Sequence, residues 1–156
     1  MVLEWVIAKK PTAVGVATGA VAGLVAITPA AGSAGVGGAM AIGAISSLLC
    51  YLAVTKLKHA FDYDDSLDVF GVHGVGGIVG AILTGWFIRG EDGGSMAQVI
   101  IQAKSVGVTI VWSGVAALIG LYAAKFLCGG IRVEEDIEYD GLDRDEHGEE
   151  AYNWEA

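Results

Sequence analysis

Four long apolar runs dominate the pattern of hydrophobic and polar positions along this chain of 156 residues. They cover residues 12–29, 35–55, 69–88 and 106–128. A helix needs roughly 17–25 mainly apolar residues to cross the hydrocarbon core of a bilayer, and each run has that length. The pattern predicts an all-α membrane protein with four transmembrane helices inside a membrane region of residues 1–128. The connecting loops are predicted at residues 30–34, 56–68 and 89–105.

Composition supports the membrane assignment and adds a charged tail. The chain is 54% hydrophobic with a mean hydropathy of +0.58, which is not the profile of an ordinary soluble domain. Residues 1–128 hold seven basic and seven acidic side chains, whereas residues 129–156 hold eleven acids against Arg132 and Arg144. We therefore predict an acidic, solvated and partly disordered cytoplasmic tail. Since no basic patch could neutralise phosphates, nucleic-acid binding is excluded.

The basic residues that flank the runs indicate the orientation. Those expected on one side of the membrane are Lys9, Lys10, Lys56, Lys58, Lys125 and Arg132. Only Arg89 and Lys104 fall on the other side. Because cytoplasmic segments carry an excess of Lys and Arg, both termini are predicted to be cytoplasmic in a multi-pass protein of the cell membrane. A cleaved signal peptide is the alternative for the first run, but that run exceeds the usual ~7–15 residue core and further runs follow it.

One ionisable side chain, His73, lies near the start of the third run. An ionisable group in hydrocarbon costs a few kcal/mol or more, so a functional site is the first hypothesis. On a helical wheel His73 shares a face with Val69, Phe70, Gly76, Gly77 and Gly80, which suits a narrow apolar lumen. A neutral imidazole there could hold a small polar solute through one donor and one acceptor nitrogen. The alternative is a histidine that only bonds a neighbouring helix carbonyl and fastens the bundle.

Carboxylates precede the third run. Asp68 has the right chemistry to cap this helix by accepting from its first free N–H groups. With Asp64 and Asp65 it could equally line a water-filled cytoplasmic vestibule, where charge is tolerated at membrane depth. The two roles are compatible.

The remaining candidate chemistry is weak. Cys50 and Cys128 end separate apolar runs without C-x-x-C spacing, so they are predicted to be inert thiols packed against lipid or protein, with no metal and no cofactor expected. Ser113 and His73 could be the nucleophile and base of an intramembrane hydrolase, but no third residue is evident and the chain order is the reverse of that of rhomboid-type proteases. A non-conducting membrane adaptor that presents the acidic tail is a further alternative.

Several blocks resemble the ammonium transporter (Amt/Mep/Rh) family. The most specific is residues 68–74, DVFGVHG, followed by residues 76–80, GGIVG, which is similar to the family signature around the second of its two pore histidines. Weaker similarities, in the same order as in the family, are Lys10-Pro11-Thr12, Thr28-Pro29-Ala30, residues 109–114 (TIVWSG), Gly141-Leu142-Asp143, His147-Gly148-Glu149 and Ala151-Tyr152. Together they cover essentially the whole chain.

The resemblance implies a homotrimer in which each protomer has about eleven transmembrane helices in two inverted repeats and conducts ammonium or ammonia through its own centre. This chain would supply the last four helices. His73 would correspond to the second pore histidine, Val69 to a lumen-lining position below it, and Asp68 to the acidic residue that opens that helix, with Thr28 a weaker candidate. In the family, ammonium is recruited, a proton is lost near the gate, and ammonia passes the paired imidazoles.

The same resemblance carries two further expectations. The first pore histidine, the aromatic gate and the first repeat have no counterpart here. The chain is therefore expected to be one part of a transporter, and this part is not expected to conduct by itself. In prokaryotic members the cytoplasmic tail lies against the pore mouth and helps a PII-type signalling protein to close it. The tail residues that match are Gly141, Leu142, Asp143, His147, Gly148 and Tyr152.

The orientation can be tested with single cysteines in a variant that lacks Cys50 and Cys128. With both termini inside, Ser95→Cys is exposed to an impermeant maleimide in intact cells and should be labelled, whereas Ser66→Cys should be labelled only after the cells are opened. Labelling of Ser66→Cys but not Ser95→Cys in intact cells would reverse the orientation.

Overall fold

The computed structural model describes residues 2–90 and 94–150. The internal contacts divide the chain into two units, Met1–Thr109 and Ile110–Ala156, and helix α6 runs through the boundary. The helices are α1 (Val2–Ile7), α2 (Ala13–Ile27), α3 (Val36–Leu52), α4 (Lys58–Phe61), α5 (Val75–Phe87), α6 (Met96–Cys128), α7 (Glu135–Asp140) and α8 (Leu142–Asp145). A 3₁₀ turn (Thr28–Ala30) extends α2, and π turns occupy Ala53–Leu57 and Phe70–Gly74.

Four helical segments are long and apolar enough to cross a membrane, as predicted. They are Ala13–Ala30, Val36–Phe61, Phe70–Phe87 and Met96–Cys128. The described residues contain no strand, only an isolated antiparallel bridge between Ala34 and Ile88.

Two predicted loop boundaries were wrong. The second segment continues through a π turn to Phe61 and ends at Asp62, whose φ of 47° is left-handed. The last helix begins at Met96 and not at residue 106, because the Ser95 hydroxyl accepts the N–H of Gln98 at 3.3 Å and so provides a start signal. The hydropathy pattern underestimated the lengths of the second and fourth helical segments, because both have polar side chains near one end.

The first unit is held together by close contacts between α2, α3 and the segment that contains α5. Its buried residues are mostly small: Ala22, Ala26, Ala30, Ile42, Ser46, Cys50, Ala53, Val72 and Thr84. In a membrane there is no hydrophobic driving force between helices, because lipid tails are as apolar as the side chains. Helices associate instead through van der Waals packing, which is closest where small residues let the backbones approach. The composition of this core matches that requirement.

Glycines set how closely the helices approach, and they correct the predicted face of His73. A Cβ at Gly80 would collide with the carbonyl oxygen of Ala26 on α2, and one at Gly76 would lie 3.3 Å from the sulfur of Cys50 on α3. Both glycines are buried on the packed face with Val72. The helical wheel placed Gly76 and Gly80 beside His73 because it assumed an ideal α-helix. Gly77, in contrast, has open space where its Cβ would be.

The second unit consists of the C-terminal part of α6 and the acidic tail. Within it, all described residues from 110 to 129 are exposed. The Arg132 guanidinium donates from Nε to Oε2 of Glu138 at 2.6 Å and from Nη2 to Oε1 at 3.0 Å. These bonds lower the pKa of the Glu138 carboxyl. The described part of the tail contains two short helices, α7 and α8, in the segment for which a solvated, partly disordered chain was one expectation.

The glycine contacts predict opposite effects of one substitution at two sites of α5. Gly80→Ala forces α5 away from α2 and should lower the free energy of unfolding by about 1–3 kcal/mol. Gly77→Ala, the matched control, meets no neighbour and should be neutral or stabilising by up to about 1 kcal/mol. Unfolding in mixed detergent micelles, followed by circular dichroism, measures both; equal losses would contradict the contact.

Candidate functional site

His73 lies in the second π turn, Phe70–Gly74, immediately before α5. Gly71 and Val72 of this turn are buried against the bundle, whereas His73 is exposed. Val69 and Phe70 are also exposed, by 52% and 50%. Single π turns are rare and are found frequently at functional sites, because the extra residue redirects the side chains around it. The turn and the residue before it thus leave Val69, Phe70 and His73 exposed in the first unit, and we call these three residues the His73 face.

The imidazole of His73 makes no hydrogen bond within the described part of the chain. The alternative in which this histidine only fastens the four helices through a neighbouring carbonyl thus gains no support from these contacts. The adjacent Phe70 ring is fixed by Tyr63, with ring centroids 5.6 Å apart and an edge-on interplanar angle of 86°.

The carboxylate of Asp65, and not that of Asp68, caps this helix. Its Oδ1 accepts the N–H of Val69 at 2.7 Å, and its Oδ2 accepts those of Phe70 at 2.9 Å and Gly71 at 3.3 Å. A negative charge at these free N–H groups also interacts favourably with the helix dipole. The prediction that Asp68 caps the helix was wrong because the turn of residues 65–68 brings the earlier aspartate back over the helix start.

Asp68 instead forms an ion pair. Its Oδ1 lies 2.9 Å from Nζ of Lys58, and the two side chains are 30% and 25% exposed. Asp68 has a left-handed backbone with φ of 56°, and its N–H donates to the carbonyl of Asp65 at 3.1 Å. Thr28, the weaker candidate, uses its hydroxyl to bond the carbonyl of Leu24 at 2.7 Å within its own helix.

Asp68 and Val72 line a cavity of about 510 Å³ that also contacts α1, α2 and α3. Its lining combines small apolar residues with hydroxyl groups of Thr12, Thr18 and Ser47. His73 and Val69 are not among the lining residues. The expected cytoplasmic vestibule at Asp68 remains a prediction, and this cavity is separate from the His73 face.

A buried polar chain supports the π turn from behind. The thiol of Cys50 donates to the carbonyl oxygen of Val72 at 3.7 Å and lies 3.7 Å from the hydroxyl of Ser46. Cys50 is a buried free thiol, as predicted, while Cys128 is a free thiol exposed at the last residue of α6, where packing against lipid stays a prediction. The contact with the backbone next to His73 was missed, although the four-residue spacing of Ser46 and Cys50 already placed both on one helix face. Among the described residues, no group of three or more His, Cys, Asp or Glu side chains could hold a metal ion.

The tail residues singled out by the sequence shape local turns. Gly141 has a φ of 102° and donates to the carbonyl of Ile137 at 2.9 Å, which ends α7. His147 donates through its backbone to Leu142, the carbonyl of Asp143 accepts from Glu149, and Gly148 has a φ of 65°. Tyr152 lies outside the described residues. The glycines are required here because L side chains rarely adopt such φ values.

Comparison with known proteins decides the family. Residues 1–152 match the model of the Ammonium Transporter Family. The chain belongs to this family. It is 48% identical to an ammonium transporter of Aquifex aeolicus over 98% of this chain and 37% of the relative, and 37% identical to one of Bacillus subtilis over 97% and 40%. The crystal structure of Candida albicans Mep2 matches with a TM-score of 0.77 and 35% identity, over 87% of this chain and 33% of that one.

Membership of the family bears on the hydrolase hypothesis and on how much of a transporter this chain represents. The relatives are ammonium transporters and not enzymes, so the hydrolase hypothesis for Ser113 and His73 is set aside. The chain spans about a third to two fifths of the length of the relatives named above. Its four candidate membrane helices thus correspond to part of a larger helical transporter fold.

The assignment of the cap can be tested on two neighbouring aspartates. Asp65→Ala leaves the N–H groups of Val69, Phe70 and Gly71 without their acceptor and should speed their hydrogen exchange by about five- to thirtyfold. Asp64→Ala is the control, because among the described residues the Asp64 carboxylate accepts only the Ser66 hydroxyl. Exchange measured by mass spectrometry in lipid nanodiscs gives the rates, and equal rates in the two variants would refute the cap.

Proposed function

We propose that this chain forms one wall of an ammonium or ammonia pathway, with His73 and Val69 on the conducting surface. The observation that carries the proposal is the uncovered His73 face on a helix whose packing side is already filled. The rest of the wall would come from the part of a transporter that this chain does not match, since the relatives are about two and a half to three times as long. The 156 residues alone would then not conduct.

The chemistry of the His73 face suits a small neutral solute. Val69 and Phe70 offer no hydrogen bonds, so the imidazole is the polar partner within this face. A neutral imidazole both donates and accepts, as ammonia does, and could pass the solute along in single file. An ammonium ion would have to lose its hydration or its proton to enter such a surface, and shedding the proton costs less than burying an unpaired charge. The face therefore favours ammonia as the species next to His73.

The same proposal includes the assembly and its regulation. The chain would act in the cell membrane with both termini in the cytoplasm, in a homotrimer when complete. The acidic tail would present the turns at Gly141 and Gly148 to a PII-type signalling protein. The proposed role of the tail is supported by its resemblance to the family and by the backbone geometry at Gly141 and Gly148, which requires glycine at both positions.

The proposal is tested by uptake of radiolabelled methylammonium in cells that lack ammonium transport. The chain alone should give no uptake, whereas co-expression with the part of the Aquifex aeolicus relative that it does not match should give uptake. In the pair, His73→Ala removes both imidazole nitrogens and should reduce the flux at least tenfold or abolish selectivity, by loss of about 1–3 kcal/mol of hydrogen bonding in a dry lumen.

Two further variants sharpen this test. His73→Asn keeps a donor and an acceptor but cannot carry a proton, so it separates solvation of the solute from proton transfer. His59→Ala changes an exposed histidine on α4 and should leave the flux unchanged. Protein level and assembly are checked by immunoblot and native electrophoresis. Normal flux in His73→Ala, or robust uptake by the chain alone, would refute the proposal.

A further inference from the structure

The ammonium of Lys58 contacts both ends of the turn that precedes the His73 helix. Its Nζ donates to the backbone carbonyl of Asp65 at 2.5 Å and to Oδ1 of Asp68 at 2.9 Å. The same carbonyl also accepts the N–H of Asp68, which closes the turn of residues 65–68. Lys58 is the first residue of α4, so one side chain joins the end of the second membrane segment to the start of the third.

The turn needs such support because Asp68 is strained. Its φ of 56° lies in the left-handed region, which costs free energy for a residue with a side chain, although less for Asp and Asn than for other residues, so local contacts help to maintain it. The backbone of Asp68 sets the direction in which the helix leaves the turn, and its carbonyl accepts the N–H of Val72 at 2.9 Å in the first helical bond. A change at Asp68 would therefore move the π turn and its histidine.

From this geometry we infer that Lys58 is a positioning residue for His73. Its ammonium holds Asp68 in the left-handed conformation and holds the Asp65 carbonyl, and thereby fixes where the π turn begins. The importance of this clamp for transport rests on the proposed function, but the clamp itself does not. Because both partners of the pair are partly buried, the bonds are charge-assisted and only partly screened by water.

The chain provides a matched control in Lys56. This lysine lies two residues earlier in the first π turn, is exposed, and forms no hydrogen bond or ion pair among the described residues. Lys56→Met and Lys58→Met remove the same charge from the same stretch of chain. Asp68→Asn is the complementary variant, because asparagine tolerates the left-handed backbone yet carries no charge.

The test is hydrogen exchange of the full chain in lipid nanodiscs, together with the ring nitrogen chemical shifts of His73. Lys58→Met and Asp68→Asn should each speed exchange at Val69, Phe70 and Gly71 by about three- to tenfold and displace the ring shifts. The double variant should lose no more than Lys58→Met alone, since that substitution already removes the bond to Asp68 together with the bond to the Asp65 carbonyl. Lys58→Arg, which retains a charged donor, should restore most of the protection, and Lys56→Met should match the wild type.

Additive effects of the two substitutions, unchanged exchange in Lys58→Met, or equal acceleration in α2 and α3 would overturn the inference. None of these readouts depends on transport. Normal transport in the co-expressed His73→Ala variant would refute the proposed function while leaving the clamp intact, and an absent clamp would leave the transport result standing. The two failures are thus distinguishable.

Discussion

The contact between Gly80 and the backbone of Ala26 determines which surfaces of this structure are packed and which are free. Because no side chain separates α5 from α2 at this point, the row of Val72, Gly76 and Gly80 is turned into the bundle. In a helix the residue that follows each of these points in a different direction, away from the packed face of the bundle. His73 and Gly77 occupy that outer position, so the exposure of the imidazole follows from a backbone contact about two turns away.

A second constraint is that free backbone groups at membrane depth need partners from the protein itself. A helix start leaves N–H groups unpaired, and a π turn disturbs the regular pattern of carbonyl acceptors. Here the Asp65 carboxylate takes three N–H groups, and the Cys50 thiol bonds the carbonyl of Val72. Both partners come from outside the turn. The irregular backbone that displays His73 is therefore supported from its front end by a charge and from behind by a buried thiol.

Sequence patterns predicted the features of this fold that depend on composition, and missed those that depend on exact geometry. The four membrane segments follow from apolar length. His73 was singled out as the one ionisable residue in its apolar run, and its role in a pathway stays a prediction. Asp68 was predicted to cap the helix because it directly precedes the apolar run. In the structure the tight turn of residues 65–68 brings Asp65 to the helix start, and Asp65 is the cap. The wheel grouped Gly76 and Gly80 with His73 because it could not include a π turn. The loop before residue 106 was assigned from polarity, although a helix can begin at the Ser95 cap outside the hydrocarbon.

The engagement of the two nearest preceding carboxylates bears on the charge of the transported species. Asp65 is occupied by three backbone N–H groups and Asp68 by Lys58, so neither carboxylate is free to accompany a cation onto the His73 face. Both are anchored at the helix start, before Val69. A cation on the surface of Val69 and Phe70 would have neither charge beside it and would meet only apolar side chains and the imidazole of His73. In a low-dielectric path that position is far more costly for ammonium than for ammonia. On the proposed function, the solute therefore crosses the His73 face as ammonia.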